Sequence, residues 1–277
     1  MTVEQAISSE QEQDERISFP LKLFGKSVLK QRKYKELSAM LGPVGDRTCI
    51  DIGSDNGVIS YLFRQQGGTW KSADLDDHAV HAIRSMVGSD VYQIDGGKTP
   101  FADNEFDAVV IVDFLEHISD DKGFMQEMKR ILKPGGTVIM NVPHLKNSLL
   151  RRFRLLIGQT DEKHGHLRPG YTPAMLKDLA GADFTIQRHH TYSKFFSEFI
   201  DTMIVFAVSV LKSLKGEKAD SQKGLVVTGD DLSANKSMFK IYSLIFPVVK
   251  VFSLLDNLLF FRKGYMLIAS ATNNKQE

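Results

Sequence analysis

The sequence predicts an α/β fold: a mostly parallel, seven-stranded sheet with helices on both faces and a helical insertion before the last strand. Three observations predict it. Short apolar runs alternate with helix-like segments from about residue 47 to 142, the pattern of a parallel sheet covered by helices. The run Phe106-Asp107-Ala108-Val109-Val110-Ile111-Val112 is apolar almost throughout, as a strand buried on both faces must be. A glycine-bearing turn, Asp51 to Gly57, joins the first such run to the helix after it, where the chain needs a tight reversal.

The elements follow in order. Thr48 to Ile52 reads as the first strand, and a helix follows near 57–66. The second strand covers about 69–73 and ends at Asp74. Asp76 or Asp77 then caps a helix carrying His78, Val80, Ile83 and Met86. Val91 to Ile94 is the third strand and Phe106 to Val112 the fourth. Ser119 or Asp120 starts a helix with apolar positions at Phe124, Met128, Ile131 and Leu132, and Lys133-Pro134-Gly135-Gly136 stops it. Thr137 to Val142 is the fifth strand. Thr172 caps a helix through Met175, Leu176 and Leu179, and Phe184 to Arg188 is a sixth strand. Residues 195–214 read as an apolar helix, 215–236 as a polar loop, and about 238–260 as a second apolar helix bent at Pro247. Gly264 to Ala269 closes the sheet. A stretch as long as 195–261 exceeds an ordinary connection. The expected organisation is therefore a disordered tail over 1–16, a core with an N-terminal helix over 17–194, a helical insertion or lid over 195–262, and the last strand and tail over 263–277.

Composition bounds the function. The 277 residues carry a formal net charge of +1, so no strong field draws the chain to nucleic acid. Cys49 is the single cysteine and lies in an apolar run, which suggests a buried thiol in a reducing compartment. The polar, acid-rich first 16 residues do not read as a secretory signal, and no apolar run reaches the roughly 20 residues of a membrane span. The expectation is a cytoplasmic protein. Two basic clusters, Lys22 to Lys35 and Arg151, Arg152 and Arg154, accompany the apolar helices of the insertion. That combination suits an anionic membrane surface, hence a place at the inner face of a membrane. Packing on the core or a homodimer contact is the equal alternative.

Ligand-type residues gather at the strand ends. The turn after the first strand holds Asp51, Gly53, Ser54, Asp55 and Gly57. Asp74 ends the second strand, where a carboxylate can accept two hydrogen bonds from ribose hydroxyls. Asp95 and Gly96 follow the third, and Asp113-Phe114-Leu115-Glu116-His117 the fourth. Binding at this edge is the rule for open parallel sheets. As an ordered set, with Pro100-Phe101 before Phe106-Asp107 and Leu132-Lys133-Pro134-Gly135-Gly136, these residues resemble the class I, Rossmann-like methyltransferases that use S-adenosylmethionine. The resemblance covers about residues 47–143. It implies that the 51–57 loop holds the methionine part of the cofactor, Asp74 the ribose and Asp95 with Gly96 the adenine, with Asp113 to Glu116 lining the site. The family usually has glycine at position 55. Asp55 instead places a carboxylate in the loop, facing either the cofactor's positive groups or its bulk.

The Asp113 to His117 cluster resembles the Glu-x-x-Glu-His segment of quinone-biosynthesis O-methyltransferases, where it is linked to a divalent metal. The preferred reading has no metal: Glu116 and His117 shape the turn and line the pocket. The minority reading is Mg²⁺ or Mn²⁺ held by Asp113, Glu116 and His117. His117, His144 and His166 are the candidate bases, with His164 beside the last. His166, Arg168 and Tyr171 match a His-x-Arg-x-Tyr-Thr segment of relatives, so Arg168 and Tyr171 are expected at the substrate. The function expected is methyl transfer to a small or lipid-linked acceptor, at oxygen. One alternative is a non-catalytic binder of the cofactor. The other is a nicotinamide-dependent oxidoreductase on a related fold, which the missing third glycine of Gly-x-Gly-x-x-Gly disfavours.

Overall fold

A computed structural model of the chain describes residues 17–157, 160–161, 165–200, 202–203, 206 and 232–276. The expected tail over 1–16, His164 and most of the expected loop over 215–236 lie outside the described residues. The sheet has seven strands: β1 (Gly45–Ile52), β2 (Gly67–Asp74), β3 (Val91–Gln93), β4 (Phe106–Val112), β5 (Leu132–Pro143), β6 (Phe184–Tyr192) and β7 (Met266–Asn273). Their order is β3-β2-β1-β4-β5-β7-β6. β1 to β5 run parallel, and β7 enters antiparallel between β5 and β6.

Period-two alternation assigns the core residues to two faces. On β4, Val109 and Ile111 join one apolar cluster while Ala108, Val110 and Val112 join the other. The first cluster is covered by α5 (Asp121–Ile131) through Phe124, Met128 and Ile131, and by α7 (Pro173–Ala180) through Leu176 and Leu179. The second is covered by α2 (Val28–Leu41) through Leu37, Met40 and Leu41, and by α3 (Val58–Arg64) through Ile59 and Phe63. A helix over 17–25, α1, precedes α2. α4 (Asp77–Val87) packs Val80 and Ile83 against Val91.

The caps follow side-chain chemistry. Asp76 accepts from the His78 amide at 2.9 Å, Asp120 from Gly123 at 2.8 Å and Thr172 from Met175 at 3.2 Å, each satisfying an amide that a helix start leaves open. Two expectations change. Lys133 to Gly136 is a bulge inside β5 and not a separate turn, because pairing with β4 jumps from Phe106↔Leu132 to Ala108↔Thr137. The segment after β5 forms a short helix, α6 (Leu149–Leu156), started by Ser148, which accepts from the Arg151 amide at 3.0 Å.

Two helices occupy the stretch between β6 and β7. α8 covers 195–200 and α9 is Leu232–Leu254, continuous through Pro247 and followed by a 3₁₀ turn over Leu255–Leu258. Asp256 in that turn accepts from the amides of Lys194, Phe196 and Ser197 at 2.7, 2.8 and 3.3 Å, so one carboxylate from the end of the stretch caps the helix at its beginning. Among the described residues, no helix is long and apolar enough to cross a membrane.

Candidate active site

The expected ligand residues converge at the C-terminal edge of β1 to β4. Gly53 leaves β1 at φ 89°, and a Cβ there would lie 2.2 Å from the Val112 carbonyl oxygen, so only glycine lets this turn abut the end of β4. Asp55 adopts φ 56°, the left-handed region that a short polar side chain tolerates. The loop thus keeps the backbone that a glycine at 55 would take. Its amide donates to Asp74 Oδ2 at 3.3 Å, while Asp74 Oδ1 accepts from the Leu75 amide at 2.7 Å. This ties the turn after β1 to the carboxylate ending β2.

Asp51 lies beneath this loop, fully buried. Ser60 and Ser72 donate to it at 2.6 and 2.8 Å, Ser54 donates as well, and Arg64 approaches to 3.7 Å. Burial pushes its carboxyl upward, and the hydroxyl donors and Arg64 oppose that shift. Asp51 and Ser54 therefore shape the loop from below, and their contribution to any ligand is indirect. Gly57 starts α3 at φ 76°.

An open cleft of about 750 Å³ borders the residues that follow β2 and β3, lined by Leu75, Asp95, Gly96, His117, Ile118 and Leu167 and by polar groups including Lys98, Gln126, Glu127 and Arg130. A carboxylate between two aliphatic side chains is a suitable environment for a flat, amino-bearing base, and the volume lies in the range of cofactor pockets. Asp95 is exposed, and its Oδ1 accepts from the Gly97 amide at 2.8 Å.

Asp113 ends β4 at φ 46°. Its Oδ1 accepts from Asn141 Nδ2 at 2.8 Å, and its Oδ2 pairs with Lys33 Nζ from α2. The Tyr192 hydroxyl donates to Asn141 Oδ1 at 2.5 Å and so sets the Asn141 amide. Burial holds that hydroxyl protonated far above its ordinary range, and the Asp113 charge adds to the shift.

The histidines separate by role. His144 is buried, and its Nδ1 donates to the Gly264 carbonyl at 2.8 Å, pinning the start of β7 beside the end of β5. His117 and His166 come together, with ring centroids 4.8 Å apart in an edge-to-face arrangement. His117 Nδ1 donates to the Gly165 carbonyl at 2.9 Å, which leaves Nε2 as the acceptor nitrogen of a neutral ring. For a metal, the structure brings together Glu116, His117 and His166, with ligand atoms within 4.8 Å of one another, while Asp113 is engaged by Lys33 and Asn141. Among the described residues this is the group whose donor atoms lie close enough together to be a candidate for a metal ion.

Arg168 and Tyr171 do a different job from the one expected. Arg168 Nη2 donates to the Ile118 and Ser119 carbonyls at 2.8 and 2.9 Å, and Nη1 pairs with Asp121. Tyr171 is 1% exposed, and its hydroxyl donates to Asp121 Oδ2 at 2.8 Å. With their polar atoms so committed, the two brace the loop after β4 instead of facing a substrate. Sequence reasoning missed Lys33 and Asn141. Lys33 stands 80 residues from Asp113, and only the docking of α2 on the sheet brings them together.

Comparison with known proteins agrees with this geometry. Residues 50–140 match the family model described as a methyltransferase domain. The match covers about a third of the chain. Curated relatives include a demethylmenaquinone methyltransferase of Tropheryma whipplei, 26% identical over 122 residues, 43% of this chain and 51% of that protein. Another is a ubiquinone biosynthesis O-methyltransferase of Parvibaculum lavamentivorans, 26% identical over 121 residues, 42% of this chain and 47% of that one. The chain spans about half the length of these relatives. Among solved structures, a Bacillus halodurans protein described as a methyltransferase superposes with a TM-score of 0.56 at 15% identity, covering 88% of this chain and 100% of that one. The [4+2]-cyclase SpnF superposes at 0.54 and 16% identity, covering 89% and 82%. One fold carries both descriptions, so structural likeness alone assigns no chemistry.

His144 generates a pH prediction. Burial lowers its pKa below the ordinary 6.5, against the Gly264 hydrogen bond and together with the nearby Lys146 and Lys263 charges. As pH falls through 6.5, the unfolded chain takes up this proton before the folded one does, so stability falls with pH until the folded value is passed. The stability difference between the natural protein and His144→Gln should therefore shift against the natural protein between pH 7.5 and 5, measured by denaturant unfolding. A difference independent of pH would contradict the assignment.

Proposed function

We propose that this protein transfers the methyl group of S-adenosylmethionine to an oxygen of a small, partly apolar acceptor. The observation that carries the reading is the tie between the Asp55 amide and Asp74 at one sheet edge, with Asp95 and Gly96 lining an open cleft after the neighbouring strand. Asp74 binds the ribose, Asp95 and Gly96 meet the adenine between Leu75 and Ile118, and Asp55 and Asp113 face the positively charged end of the methionine part. When bound, the cofactor supplies an electrophilic methyl carbon next to a neutral leaving thioether. The chain holds the acceptor in line with it, and alignment alone supplies much of the rate. His117 lines the cleft, and its Nε2 takes the acceptor's proton. The ubiquinone biosynthesis O-methyltransferase among the relatives favours an oxygen acceptor.

Replacing Asp74 by alanine tests the site. The change removes two charge-assisted hydrogen bonds worth roughly 1.5–3 kcal/mol each before compensation. Affinity for S-adenosylhomocysteine, measured by calorimetry, should fall about tenfold or more. Unchanged affinity would place the ribose elsewhere.

The apolar character of the acceptor follows from the surroundings. Pro143 at the end of β5 pairs with Met266 at the start of β7, so the segments on either side of them leave the sheet at the same edge as the cleft. Both segments are exposed and apolar. Leu149, Phe153 and Leu156 recur on one face of α6, and Leu244, Val248 and Val251 on one face of α9, with Leu258, Phe260 and Phe261 beyond it. Arg152, Lys250, Arg262 and Lys263 are exposed around them. α8 and α9 serve as roof of the acceptor pocket, with their outer side on an anionic lipid surface. Each basic residue near such a surface adds about 1 kcal/mol, screened by salt. The full chain should co-sediment with phosphatidylglycerol vesicles at low salt and be released at high salt. Protein left in the supernatant at low salt would discard the lipid surface and leave a second copy of the chain as occupant of this face.

A further inference from the structure

Lys33 lies on α2, outside the segment that matches the methyltransferase domain. Its Nζ forms an ion pair with Asp113 Oδ2, and the charges of Glu116 and Asp55 also act on it. These three carboxylates come from three separate places: the turn after β1, the end of β4 and the 3₁₀ turn that follows it. A cationic side chain from another helix thus stands among the groups assigned above to the cofactor's positive end.

We propose that Lys33 is the internal cation of the cofactor site, and that it sets the preference between the methyl donor and its demethylated product. The proposal rests on the methyltransferase reading. S-adenosylmethionine and S-adenosylhomocysteine share the ribose, the adenine, the ammonium and the carboxylate. They differ by one methyl group and by one positive charge on sulfur. A group in the pocket that discriminates between them must therefore sense charge or a single methyl. Lys33 senses charge. If its ammonium stays beside Asp113, it repels the sulfonium and leaves the thioether untouched. If the sulfonium displaces it while the neutral thioether leaves it on Asp113, only the donor forfeits the Lys33–Asp113 pair. In both cases the coupling between Lys33 and the extra charge is unfavourable, and its removal favours the donor over the product.

The lysine also has a reason to be there. Clustered carboxylates in a partly closed site raise one another's pKa and tend to protonate. Burial pushes the Lys33 ammonium down, yet Asp113, Glu116 and Asp55 together hold it above its ordinary value, so it remains charged. The lysine and Asn141 together hold the Asp113 carboxylate in position when no ligand is bound.

The test compares affinities for the two ligands. S-adenosylmethionine and S-adenosylhomocysteine are titrated by calorimetry into the full chain and into Lys33→Gln, Lys33→Met and Lys33→Arg, with thermal melts to verify folding. Like charges at this range in a partly exposed site couple strongly enough to change a ratio on the order of tenfold. The affinity ratio of donor to product should rise about tenfold in the Gln and Met variants, and should stay within about twofold of the natural value in the Arg variant, which keeps the charge. Equal weakening of both ligands in the neutral variants, or an Arg variant that behaves like Gln, would overturn the proposal and leave Lys33 a structural residue. If the natural protein binds neither ligand, the methyltransferase reading fails, and the proposal with it. That outcome is visible in the natural protein alone, apart from any variant.

Discussion

The contact between Gly53 and the Val112 carbonyl is the constraint on which the site depends. A side chain at 53 would collide with that oxygen, so the absence of a Cβ lets the turn after β1 lie against the end of β4. Parallel pairing of β1 with β4, from Cys49↔Ala108 to Ile52↔Ile111, brings the two strand ends level. Once they are level, the Asp55 amide reaches Asp74 on one side and Asp113 stands on the other. Everything assigned to the cofactor is a consequence of this approach.

Buried polar groups then hold the edge in shape. Asp51 is a carboxylate with no exposure, a costly arrangement unless its oxygens are used. Three serine hydroxyls, from the loop, from α3 and from β2, use them. Asp51 thereby links the elements that frame the turn. Asp113 is held in a similar way, by Asn141 from β5 and Lys33 from α2, with Tyr192 of β6 behind Asn141. On the far side, Arg168 and Tyr171 tie the loop after β4 to Asp121. The loops at the strand ends are thus braced by residues from other elements, which is how an open sheet edge is preorganised.

Much of this was legible in the sequence, and the reason is local. β4 was readable at its observed limits because an apolar run flanked by polar turns admits few other structures. Asp76, Asp120 and Thr172 were readable as caps because capping depends on one side chain and an amide two or three residues on. The gathering of Asp55, Asp74, Asp95 and Asp113 after successive strands was readable because a parallel sheet places its strand ends along one edge. What escaped was long-range. Lys33 meets Asp113 only after α2 docks on the sheet, and Asp256 caps α8 across about 60 residues. Arg168 and Tyr171 were assigned to a substrate from a local motif, and their true partners, Ile118, Ser119 and Asp121, lie some 50 residues earlier. The bulge in β5 escaped for a related reason: Pro134 and two glycines resemble a turn until the register with β4 is known.

The central claim is that one sheet edge, built around Gly53, is a cofactor site. The most direct measurement is a crystal structure of the full chain with S-adenosylhomocysteine bound. The account predicts ribose hydroxyls on Asp74, the adenine between Leu75 and Ile118 with its amino group toward Asp95, and the amino-acid end beside Asp55 and Asp113. A ligand bound away from Asp74 and Asp95, with the 53–57 turn uncontacted, would contradict it.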